Sequence, residues 1–188
     1  AVLRHKHPGR VSIFKRIQYG TSFFYPMSAI GAHVSAVPNH QTGRGISLHT
    51  RGIVAMTGAF GYELSLGKLS EEEKEQVKEQ ISLYKEYETL IGNGDYFRLS
   101  NPFKDAYAAW MFVSKDRRTV LLHVVMLENH GNMTVSYVKL KDLLPDASYE
   151  EKESKRCYQG SALMQAGIPL PVEMKEYPAY QFLFTVKG

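Results

Sequence analysis

Cysteine is nearly missing from this chain: Cys157 stands alone among 188 residues. One thiol allows no internal disulfide and no cysteine metal site, so a reducing, cytoplasmic setting is the expectation. Long apolar runs are missing too. No stretch approaches the roughly 20 residues that a membrane span requires. No cluster of Lys and Arg is present either. With 23 basic and 19 acidic residues the net charge is only +4, and nothing marks a nucleic-acid surface. The amino end lacks the apolar core of a signal peptide. It opens on Ala1 rather than Met, which reads as a fragment. There is no Gly-x-Ser-x-Gly elbow for a nucleophilic serine, and Gly43-Arg-Gly45 and Gly92-Asn-Gly94 are too short to cradle phosphate.

What is present is an ordinary globular composition, 44% hydrophobic and 22% charged, rich in Tyr and Phe. Lys15–Phe24 has helical character that Tyr25-Pro26 must stop, because a residue before proline is pushed out of the α region. Ile30–Val37 is a short apolar run closed by Pro38, the pattern of a buried parallel strand. It empties into Asn39-His40-Gln41-Thr42. Residues 47–57 predict a helix ending at Gly58, and 60–65 a second strand. Ser70 and Glu73 form a capping box for a long helix. Its apolar face is expected to be Val77, Ile81, Tyr84 and Ile91, with Gly92 as terminator. Helix, strand, helix, strand, helix is the alternation of a parallel α/β sheet or barrel. Two strands make neither alone, so residues 1–91 read as the closing quarter of a (β/α)8 barrel, with 1–14 atypical.

Beyond Gly92–Ser100 the texture changes to short strand-like runs. These are 108–113, 119–127, 133–140, 156–158 and 179–186, and they predict an antiparallel β-sandwich over 92–188. In 133–140, Met133, Val135 and Tyr137 share one face.

Ligands of α/β folds sit past the carboxyl ends of parallel strands. This makes four residues candidates for substrate binding. His33 lies within the first strand, facing either the barrel interior or the helices outside. Asn39 and His40 lie in the polar loop, where capping is the plain alternative. Glu63 lies near the end of the second strand, where it could equally anchor a loop. His5 and His7 share a face, but no third ligand is near, so no metal site is assigned. His123 and Trp110 sit in apolar runs and are expected to pack in the core.

Several stretches closely resemble the carboxyl-terminal part of the α-galactosidases of glycoside hydrolase family 36. They are Arg16-Ile-Gln-Tyr-Gly-Thr-Ser22, Gly31-Ala-His-Val-Ser-Ala-Val-Pro-Asn-His-Gln-Thr-Gly-Arg44, Thr50-Arg-Gly52, Phe60-Gly-Tyr-Glu-Leu64, Tyr96-Phe-Arg-Leu99 and Ala108-Ala-Trp-Met-Phe-Val-Ser114. The resemblance covers about residues 15–188. It implies the last βα units of a catalytic TIM barrel followed by the family's carboxyl-terminal antiparallel β domain. It also implies hydrolysis of terminal α-galactosides such as melibiose and raffinose, with retention and without a cofactor, in homo-oligomers that need neither nucleic acid nor membrane. Retention requires two carboxyl groups about 5–5.5 Å apart. The family's nucleophilic Asp lies in a Lys-x-Asp motif and its acid/base Asp in a Ser-Asp stretch before Ile-Gln-Tyr-Gly. Neither pattern occurs here, and Leu3-Arg-His-Lys-His-Pro-Gly-Arg-Val-Ser12 stands where the second should be. No catalytic residue is therefore assigned, and the chain alone is expected to be inactive. The other reading is a non-catalytic carbohydrate-binding or subunit-assembly module.

Overall fold

The computed structural model describes residues 19–36, 45–128, 135–173 and 175–188. A helical turn at Tyr19–Thr21 and a 3-10 turn at Met27–Ala29 lead into strand β1, Gly31–Ser35. The helix expected over Lys15–Phe24 is thus a single turn within the described residues. Phe23, Phe24 and Tyr25 fold their N–H groups back onto the carbonyls of Gly20 and Thr21, closing the turn before Pro26. Helix α1, Leu48–Ala55, is capped by Ser47, whose hydroxyl accepts from the Thr50 N–H. Strand β2, Ala59–Glu63, lies parallel to β1 with Gly31 opposite Ala59 and Ser35 opposite Glu63.

Helix α2, Glu71–Asn93, begins with the expected box: Ser70 Oγ accepts from the Glu73 N–H while the Glu73 carboxylate accepts from the Ser70 N–H. Its end differs from expectation. The helix runs through Gly92, and Gly94 N–H donates to Leu90 O. Ile91 is buried and holds that last turn on the core, which offsets the roughly 1 kcal/mol that one helical glycine costs. The buried stripe is Val77, Gln80, Tyr87 and Ile91, so Ile81 stands at its edge, 37% exposed.

Seven strands follow: β3 Asp95–Arg98, β4 Tyr107–Val113, β5 Thr119–Met126, β6 Tyr137–Val138, β7 Ser148–Glu151, β8 Cys157–Gln159 and β9 Ile168–Pro169. Helix α3, Gly160–Gln165, lies between the last two, and β10, Ala179–Val186, closes the series. Six strands form one antiparallel sheet in the order β3-β4-β5-β10-β7-β8, and β6 pairs with β9 in a separate ribbon. The second layer of the expected sandwich is small, consisting of this ribbon, α3 and their connections. Within it, the strand expected over 133–140 is Tyr137–Val138 among the described residues, and the face that Val135 and Tyr137 share is the outer one. Tyr137 and Val135 are 55% and 48% exposed, whereas Val138 and Leu140 are buried; residues 133 and 134 lie outside the described residues.

Antiparallel sheets usually keep one face in water, but β4 and β5 are buried at every position after their first. The reason is that each face has a partner. Met111, Val113, Leu122, Val124 and Phe184 pack under the ribbon and α3. Trp110, Phe112, Leu121, Val125 and Ala179 pack against Ile53 of α1, Tyr87 and Ile91 of α2, and Met27. The apolar runs of β4 and β5 therefore reflect two cores sharing one sheet.

One polar row crosses the helix-facing side. Trp110, His123 and Gln181 are direct neighbours on β4, β5 and β10. Gln181 Nε2 lies 2.8 Å from His123 Nε2 and 3.6 Å from Met56 Sδ. An amide nitrogen only donates, so His123 Nε2 accepts and the proton sits on Nδ1, which has no hydrogen-bond partner among the described residues. The expectations of a buried His123 and a packed Trp110 both hold, at 0% and 2% exposed. Burial pushes the imidazole down to about 3 from its ordinary 6.5, because an imidazolium here would have no solvation.

The unfolded chain thus binds a proton that the folded chain refuses. Stability is fully present above pH 6.5 and falls toward pH 3, by about 1.4 kcal/mol per pH unit from this group. Urea denaturation of the chain and of His123→Leu should show the wild type losing stability between pH 6.5 and 5 and the variant nearly flat there. A second expectation concerns the shared sheet: Phe112→Ala should cost about 3–5 kcal/mol, whereas exposed Thr185→Ala should stay within about 0.5 kcal/mol by the same measurement.

Candidate functional site

The two parallel strands have unlike faces. Ala32 and Val34 of β1, with Phe60 and Tyr62 beside them on β2, turn toward Leu48 and Ala55 of α1 and Val77 of α2. Residues alternate along a strand, so Gly31, His33 and Ser35 share the other face with Ala59, Gly61 and Glu63. His33 and Glu63 are exposed on it. Of the two orientations open for His33, the structure has the one directed away from the helices. Its partner across the strands is Gly61, and a Cβ at Gly61 would lie 3.0 Å from the His33 ring. Glycine there is what gives the imidazole room to lie over β2.

Both strands run the same way, so Ser35 and Glu63 end up side by side at the carboxyl ends. Two of the four candidates thus share one face, with Ser35 as an unforeseen third polar member. Asn39 and His40 lie outside the described residues, as do His5 and His7. Glu63 is the one carboxylate on this face among the described residues, which leaves a carboxylate pair unmade there.

Behind the face, the Thr50-Arg51-Gly52 sequence of α1 supports it in three directions. Arg51 Nη1 donates to Ser35 O, at the end of β1, and Arg51 Nε donates to Ile46 O at 3.0 Å. Thr50 Oγ1 donates to Tyr177 O at 2.9 Å, beside His49 Nε2, which lies 3.1 Å from Ala179 O. Gly52 leaves the space that the Gln80 carboxamide of α2 fills. That carboxamide donates to Leu48 O at 3.0 Å and accepts from Tyr62 Oη at 2.8 Å. Burial pushes the Tyr62 phenol up to about 12, against the opposing pull of Arg51, so it remains a neutral donor in this network. None of these three residues was a sequence candidate for function. Their only signal was membership of a short motif inside a helix.

No described helix is long and apolar enough to cross a membrane. Residues 11–94 match the Melibiase family and residues 107–184 the Glycosyl hydrolase family 36 C-terminal domain. The chain is 62% identical over 170 residues to a bifunctional alpha-galactosidase/sucrose kinase of Mediterraneibacter gnavus, covering 90% of this chain and 18% of that protein. It is 49% identical over 162 residues to the alpha-galactosidase AgaA of Geobacillus stearothermophilus, covering 86% and 22%. The galactosidase domain of the alpha-galactosidase-sucrose kinase AgaSK superposes with a TM-score of 0.92 at 58% identity, across 97% of this chain and 25% of that one. A family 36 alpha-galactosidase AgaA of Geobacillus stearothermophilus, solved in complex with raffinose, gives 0.91 at 43% identity over the same shares. The chain therefore spans about a fifth of its curated relatives and a quarter of the solved structures. An end of a βα barrel leading into an antiparallel sheet, joined by these motifs, matches the carboxyl-terminal portion of glycoside hydrolase family 36 proteins, and to that family the chain belongs.

Proposed function

We propose that this chain is the carboxyl-terminal quarter of a retaining α-galactosidase acting on terminal α-galactosides such as melibiose and raffinose, and that it has no hydrolytic activity by itself. The observation that carries the reading is the exposed face of β1 and β2. Its polar residues, His33, Ser35 and Glu63, occupy what would be the interior of a closed barrel, near the carboxyl ends where barrel enzymes bind substrate. An exposed imidazole and carboxylate beside a half-buried hydroxyl are suited to sugar hydroxyls, which they can orient but not cleave. Retention needs a nucleophile and an acid/base carboxyl about 5–5.5 Å apart, and this face supplies one carboxylate. Relatives solved with raffinose and with stachyose support the substrate class. In this reading residues up to about 91 complete the barrel and 92–188 form the appended β domain. The setting is cytoplasmic, with Asn39 and His40 joining His33 and Glu63 in substrate binding.

Two measurements test this together. The purified chain should release no nitrophenol from p-nitrophenyl-α-galactoside above a vector control, and should give no heat with millimolar galactose. A chimera in which residues 15–188 replace the matching quarter of the Mediterraneibacter gnavus galactosidase should hydrolyse the same substrate. Activity in the isolated chain would overturn the inactivity, heat with galactose would favour a separate sugar-binding module, and a folded but inactive chimera would overturn the galactosidase reading.

A further inference from the structure

Helix α1 touches both the carboxyl end of β1 and the entry to β10 through consecutive residues. At one end, Arg51 grips two carbonyls, those of Ser35 and Ile46, which flank the stretch that leaves β1. A guanidinium can do this because its donors point in fixed, diverging directions in one plane; an ammonium is a single point of charge. At the other end, hydroxyl groups pass from the helix cap to the β domain. Ser47 Oγ accepts from Thr50 N–H at 3.1 Å and donates to Thr50 Oγ1 at 2.9 Å, and Thr50 Oγ1 donates onward to Tyr177 O. Thr50 is 4% exposed, so its bond to Tyr177 O is shielded from competing water, whereas Ser47 stands at the surface.

The carbonyl at its end is unusual. Tyr177 has φ +50, a left-handed conformation that a bulky residue adopts only when its surroundings impose it. Its neighbours are held as well: Pro178 O accepts from Met126 N–H at 2.9 Å, and Ala179 O faces His49 Nε2. The entry to β10 is thereby a fixed point, and α1 is hung from it.

Resting on the galactosidase reading above, we propose that Arg51 and Thr50 are positioning residues for the substrate face. Thr50 sets the height of α1 from the β domain, and Arg51 transfers that setting to the carboxyl end of β1, where Ser35 adjoins Glu63. The β domain then acts on sugar affinity through α1 without touching the sugar. Such a role predicts a defect in binding rather than in bond cleavage, because the carboxyl groups that break the bond belong to other strands.

The test uses the active chimera, with KM, kcat and melting temperature measured on p-nitrophenyl-α-galactoside. Arg51→Met should raise KM about tenfold with kcat nearly unchanged, the signature of lost ground-state binding. Arg51→Lys should fall between the two. Thr50→Val, which removes only the hydroxyl, should raise KM about threefold, and Thr50→Ser should restore it. If Thr50 works through Arg51, the double variant Thr50→Val/Arg51→Met should match Arg51→Met alone rather than multiply the two effects. A KM unmoved by Arg51→Met, whatever the change in melting temperature, overturns the proposal and leaves the galactosidase reading intact. Multiplying effects in the double variant overturn the linkage through Arg51. Should Arg51→Met fail to fold, the KM of Arg51→Lys decides in its place, a rise supporting and no change overturning. A parent chimera that folds, by its melting transition, but is inactive overturns both readings at once.

Discussion

One sheet buried on both sides holds this structure together. Strands β4, β5 and β10 lend one set of side chains to the ribbon and α3, and the alternate set to the barrel helices. The second contact makes the two halves of the chain interdependent. Helices α1 and α2 bury apolar surface on Trp110, Phe112 and Leu121 that would otherwise meet water, and such surface contributes about 25 cal/mol per Å² removed from solvent. Polar ties add direction to this nonspecific attraction. Lys152 pairs with Glu86 at 2.7 Å beside Tyr87, binding the β7–β8 turn region to α2. The pair is partly exposed, so it aligns the contact more than it strengthens it.

This arrangement explains why a quarter of a barrel can be ordered at all. Two parallel strands and two helices leave one strand face and both strand edges without neighbours from within these residues. On the helix side the strands are well supplied, through Val34, Tyr62 and the Gln80 carboxamide. The helices in turn are backed by the antiparallel sheet. Support therefore reaches the polar face of β1 and β2 from behind, through α1 and α2, while the front stays open.

The sequence was most legible where chemistry is local. Ser70 and Glu73 announced α2 because a capping box is satisfied within four residues, and the run around Ile30–Val37 announced β1. Barrel-end and antiparallel-sheet architecture followed from the order of such segments. Local signals failed where distant contacts decide. Gly92 looked like a helix stop, but Ile91 is buried under the sheet and carries the helix past it. Tyr149 is wholly buried with its hydroxyl donating to Arg117 O, yet the polar neighbours of β7 hid that strand from a hydrophobicity reading. The direction of His33 was left open because a barrel strand is covered on both faces. Packing of Ala32 and Val34 against α1 and α2 turns it to the opposite face, where Gly61 on the neighbouring strand leaves room for the ring. Thr50 and Arg51 escaped notice because their partners at Tyr177 and Ser35 are 127 and 16 residues away.

The position of β10 has a consequence for biogenesis. It lies between β5 and β7 in the interior of the six-stranded sheet, yet it follows every other element in chain order. A ribosome delivers it after all its neighbours, so β5 and β7 must wait, edges bare, until Ala179–Val186 slides between them. Through that interval α1 also lacks its anchor at Tyr177 and Ala179. Until β10 emerges, a nascent chain of this design keeps the unpaired edges and uncovered apolar faces that invite aggregation.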